Sequence, residues 1–186
     1  GLTEARSMVS FSGFCHLRSA KDLLRKLEHD LSRMAADTSN EFAAFDFFVT
    51  AEHMVDWLHP SRKLDQGQLR AAPILALVSH IANGAKHFTA TAKRHRSVSS
   101  IEKDAYVAEG YVESGYFEEP IVVVLTPSEE KVFGCTRIEA VELASRVLEH
   151  WRNTLALEAS YLDPANSTSV NNAEVDQAGR DDAGET

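Results

Sequence analysis

Apolar residues return at helical spacing from the start of the chain. Between Leu17 and Ala35 they fall at Leu17, Ala20, Leu23, Leu24, Leu27, Leu31 and Met34, with Lys21, Arg25, Lys26 and Asp30 on the other side. Three- and four-residue steps of this kind predict an amphipathic helix. Thr38 and Glu41 then form a capping-box pattern, so a second helix is expected to open there. It reads EFAAFDFFVTAEHMVDWL and should stop at His59-Pro60, because the residue before a proline is pushed out of helical geometry. This segment is apolar almost all round, which marks it as the central, buried helix. Its polar positions Asp46, Thr50, His53 and Asp56 lie three or four apart and are expected to share one edge.

SRKLDQGQLR reads as a polar connection. Pro73 suits the first turn of a third helix, predicted to run to about Lys93. After SVSS the period changes. AYVAEGYVESGYF, IVVVLT and KVFGCT are short, rich in Val, Tyr and Phe, and predict a three-stranded meander with TPSEEK as a hairpin loop. Thr136 and Glu139 repeat the capping-box pattern, so a fourth helix is expected, with Ile138, Val141, Ala144, Leu148, Trp151 and Leu155 on its apolar face. The fold class that follows is α+β, mainly helical: a bundle of about four helices with a small antiparallel meander between the third and fourth. One domain is expected over residues 1–162, followed by a disordered acidic tail over 163–186, which has almost nothing to bury.

Charge sharpens this picture. The net charge is -9, and the tail carries six acids against one base, Arg180. So acidic a chain is a poor general binder of nucleic acid or anionic membrane, although a local basic groove such as Lys93–Arg96 could contact phosphate. No apolar run reaches the roughly 20 residues of a membrane span, so no membrane partner is expected. Cys15 and Cys135 fit no metal or redox spacing, which points to a reducing, cytoplasmic setting.

The most unusual chemistry lies in ILALVSHIANGAKHF. His80, Asn83 and His87 share one edge of the expected third helix, and Gly84 weakens that helix relative to Ala. A packing account has Gly84 admitting helix two closely, Asn83 bonding a neighbour, and His87 finishing the helix. A site account assigns a ligand-binding edge between helices two and three to His53, Asp56, His80 and Lys86. A metal on that edge would call for a stronger pattern, since His53 has no second histidine at the HExxH offset, so no metal and no cofactor are assigned. No P-loop, GxGxxG or GxSxG occurs.

The phrases IANGAKHF and FAAFDFFVTAEHMVDW resemble a group of bacterial helical proteins and, more distantly, the HEPN superfamily. In that superfamily an Arg, often followed by a polar residue, precedes a His by five positions. The resemblance implies a helical bundle that pairs through this helix, and a metal-independent ribonuclease or RNA-binding activity. Asn83 and His87 match the polar residue and the histidine, whereas Ala82 stands where the Arg belongs. On that reading His87 is the catalytic acid/base and Asn83 its companion, with the cation that would stabilise phosphate charge missing. The leading expectation is a binding or interaction protein that forms a homo-oligomer, a homodimer built on the bundle. RNA is the alternative partner.

Overall fold

The computed structural model describes residues 13–87, 97–103 and 119–161. The expected strand AYVAEGYVESGYF, the basic Lys93–Arg96 cluster and the acidic tail lie outside them. The architecture is α+β and mainly helical, with a three-stranded antiparallel sheet. Among the described residues no helix is long and apolar enough to cross a membrane. Contacts divide the chain into two compact units, residues 1–149 and 150–186.

Within the first unit, helix α1 spans Ala20–Ala36. Its N-cap is Ser19, whose hydroxyl accepts from the Asp22 amide, satisfying one of the donors that a helix start leaves open. Leu23, Leu27 and Met34 are buried, and so is Asp30, which the helical pattern places on the polar face. Its carboxylate is met by Lys26 and, at 3.3 Å, by Arg33, so a buried charge is kept in paired form.

Helix α2, Glu41–Leu58, starts and stops where expected, but its cap differs. Asn40 accepts from the Ala43 amide, while Thr38 uses its backbone carbonyl to accept from Ile121. Nine of its residues are buried, with Ala43, Phe47, Ala51, Met54 and Val55 fully so. Even so, Phe42 and Phe45 are 73% and 48% exposed, so the apolar wrap of this helix is only partly covered. The supposed polar connection contains a short helix, α3, over Lys63–Arg70. Gln66 anchors it by donating to the His59 carbonyl at 2.7 Å. Helix α4, Pro73–His87, opens on the expected proline and buries Leu75, Leu77, Val78, Ile81 and Ala82.

The sheet departs furthest from expectation. Strand β1 is Val98–Lys103, formed by the VSSIEK segment read above as preceding the sheet. Strand β2 is Ile121–Leu125, as expected. The TPSEEK hairpin loop and the first half of KVFGCT instead form helix α5, Pro127–Phe133, closed by Gly134 in the left-handed conformation at φ 73°. Strand β3 is Arg137–Glu139, which places Glu139 in the sheet rather than in a capping box. Helix α6 follows over Ala140–Tyr161.

The order is β1-β2-β3, antiparallel throughout. Ile101, Val123 and Ile138 stand opposite one another across the three strands. Being central, β2 can be apolar along its whole length. In the second unit, α6 continues through the fully buried Trp151, whose ring meets His150 edge-on at 5.9 Å between centroids.

Candidate functional site

Two features of the α2–α4 pair stand out, one polar and one apolar. The polar one is organised by a residue the pattern of the sequence does not single out. Glu52 is 7% exposed in the middle of α2. Arg70, the last residue of α3, meets it at 2.8 Å, and Ser79 of α4 lies 3.4 Å away. Arg70 also lies 3.5 Å from Asp56, so one guanidinium bridges two carboxylates. A buried carboxylate without such a partner would be strongly unfavourable, which gives the short α3 its structural task. The sequence hints at this only through an acid set among the apolar residues of α2.

Beside this pair, His53 is half-exposed between Asp56 and Lys86. The Lys86 ammonium lies 2.9 Å from His53 Nε2, and Asp56 lies 3.7 Å from Nδ1. A lysine ammonium can only donate, so Nε2 accepts and the ring proton sits on Nδ1, toward the carboxylate. Three of the four residues expected to form a ligand edge, His53, Asp56 and Lys86, therefore come together.

The fourth does not. His80 faces β1, where its Nδ1 accepts from the backbone amides of Ser97 and Val98 at 3.1 and 3.0 Å. Burial holds its pKa below the ordinary imidazole value, in keeping with a ring that serves as an acceptor. Asp46 also leaves the expected edge, pairing with Arg33 of α1 at 2.9 Å.

The two residues matched to the HEPN motif lie on the last turns of α4. Asn83 donates to the Ser79 carbonyl at 2.7 Å, and His87 is exposed. Lys86, the nearest cation to them in sequence, is engaged with His53. Among the described residues Gly84 serves no close approach: a Cβ built there meets none of them within 4 Å, which corrects the expectation that helix two packs tightly against it. Among the described residues no cluster of three His, Cys, Asp or Glu side chains is placed to hold a metal ion.

The apolar feature is a cleft of about 160 Å³ where α2 and α4 meet the sheet. Phe45 and Phe48 of α2, Ile81 and Ala85 of α4, and Ile101 and Ile121 of the sheet form most of its lining. Phe45 and Ile101 are each about half-exposed at its mouth, and Phe42 stands one turn from Phe45. Glu41, which lines the cleft, pairs with Lys103 of β1 at 3.5 Å. Compared with models of known families, with curated proteins and with solved structures, the chain finds no match.

Proposed function

We propose that this protein is a binding protein that pairs with a second copy of itself through the apolar cleft on α2. The lining of the cleft is the main support: Phe45 and Ile101 leave large apolar surface in water at the mouth of a concave, almost wholly apolar hollow. Concave apolar surface with aromatic residues at its edge is the usual chemistry of a recognition site. Phe42 extends the same surface along the helix.

The charges at the rim favour a second copy as the occupant. A two-fold interface brings one patch against itself, so each residue needs its complement within that patch. Glu41 and Lys103, which pair at 3.5 Å within one copy, supply this in our reading, each meeting its opposite on the second copy.

Sedimentation velocity from micromolar to hundred-micromolar concentration tests the reading. Wild type is expected to sediment as a dimer in the upper part of that range. Phe45→Glu, which sets a carboxylate in the cleft, is expected to sediment as a monomer with an unchanged circular dichroism spectrum. A wild type that stays monomeric throughout, or a Phe45→Glu variant that still pairs, overturns it.

A further inference from the structure

We infer that the apolar cleft is filled by Phe42 of the second copy, each copy lending its ring to the other. This occupancy rests on the two-fold pairing through the cleft and names the side chain that enters it. The sizes match. The cleft holds about 160 Å³, and an apolar cavity of roughly 150 Å³ takes one benzene ring. Among the described residues that line it, all but Glu41 are apolar. A phenyl ring brings no polar atom into such a lining, so nothing is left without a hydrogen-bond partner when it enters.

Symmetry narrows the choice of ring. In a two-fold interface the same patch serves both copies, so the side chain that enters must stand on the patch that carries the hollow. Phe42 does so. It adjoins the lining residue Glu41, stands one turn before Phe45 at the mouth, and at 73% is the most exposed phenylalanine among the described residues. Leu64 of α3 and Val132 of α5 are also exposed, but neither helix contributes to the lining. Entry of either would join copies head to tail, which makes rings or open filaments rather than a closed pair.

Phe42 is held in place before any partner arrives. It is the second residue of α2, and Asn40 secures that helix start by accepting from the Ala43 amide. Little backbone freedom is lost on docking, which lowers the cost of association. Within one copy most of the side chain lies in water, so its removal costs pairing rather than folding.

The ring and the hollow lie on different residues, and substitution separates them. Phe42→Ala keeps the hollow and loses the ring; Phe45→Glu keeps the ring and spoils the hollow. Alone, neither variant can seat a ring in a cleft. A mixed pair can seat one of the two, with Phe42 of the Phe45→Glu copy entering the cleft of the Phe42→Ala copy. Leu64→Ala removes an exposed apolar side chain from elsewhere on the surface and serves as the control.

Sedimentation velocity of the full chain reads the pairing, with circular dichroism as the check on folding. Phe42→Ala is expected to keep the wild-type spectrum and to weaken pairing about tenfold for each ring, hence about a hundredfold for the pair. Leu64→Ala is expected to pair as wild type does. An equal mixture of Phe42→Ala and Phe45→Glu is expected to associate more tightly than either alone and more weakly than wild type. A Phe42→Ala variant that pairs as wild type does, or a mixture no better than its parts, overturns the inference and leaves the pairing itself standing. Equal losses in Leu64→Ala and Phe42→Ala also overturn it, in favour of a head-to-tail arrangement. A wild type that is monomeric up to hundred-micromolar concentration overturns both the inference and the two-fold reading beneath it.

Discussion

His80 and His53 differ in sequence only by their neighbours, yet the fold uses them in opposite ways. His53 is held in reach of water between Asp56 and Lys86. His80 is turned inward, where its Nδ1 receives two backbone amides at the start of β1. Protonating that nitrogen would set a donor against two donors. Burial lowers the pKa of His80 below the ordinary imidazole value of about 6.5, and it lowers that of His150 in the same direction. At a pH between the lowered folded value and the ordinary one, the unfolded chain binds more protons than the folded chain. Stability is therefore complete above about pH 6.5 and is lost as the pH falls toward and through the folded value. Thermal melts of wild type are expected to shift downward on acidification through this window. His80→Gln, which keeps an acceptor but does not titrate, is expected to flatten the shift in part, leaving the share due to His150. An undiminished acid shift in His80→Gln would remove His80 from this role.

Among the elements, α4 is unusual for carrying Asn-Gly within a helix, and the reason is local. Asn83 closes a hydrogen bond onto the Ser79 carbonyl, and among the described residues no side chain or backbone lies where a Cβ on Gly84 would go. The glycine therefore costs helix stability without a packing return in the monomer. Gly84→Ala is expected to stabilise the protein by about 1 kcal/mol in urea denaturation, the difference in helix propensity. A loss of stability would mean that something does pack closely there.

The three long helices within residues 17–87 and the whole of β2 were legible in the chain, because each buries one continuous apolar pattern that repeats at its own period. The region after β2 was not. VFGCT is rich in strand-forming residues, but Pro127 at the first turn, acids at Glu129 and Glu130, and Gly134 at the end are helix start and stop signals, and they prevailed over the β-branched content. The capping boxes misled for a related reason. Asn40 takes the cap of α2 and Glu139 is drawn into β3, while the Thr38 and Thr136 carbonyls accept from Ile121 and Leu125 of β2. The candidate site was half legible: His53 and Asp56 share an edge because of helical spacing, and Lys86 reaches them from the paired helix. Glu52 and Arg70 lie 18 positions apart, and only the fold brings them together.

For the molecule as a whole, two copies are proposed to meet across the cleft with Glu41 and Lys103 exchanged between them. Reversing one charge gives the pair at positions 41 and 103 a single sign, so Glu41→Lys and Lys103→Glu should each repel their own kind. A mixed pair regains a full set of opposite charges. The lysine introduced at position 41 of one copy then faces the glutamate introduced at position 103 of the other, and the unchanged Lys103 of the first faces the unchanged Glu41 of the second. This reciprocity belongs to a two-fold interface and to few other arrangements. The decisive measurement is sedimentation velocity of the two variants separately and mixed in equal amounts. Self-association is expected to weaken several-fold in each variant alone and to recover in the mixture. A mixture that associates no better than its parts, beside a wild type that pairs, would show that the rim is not exchanged between copies.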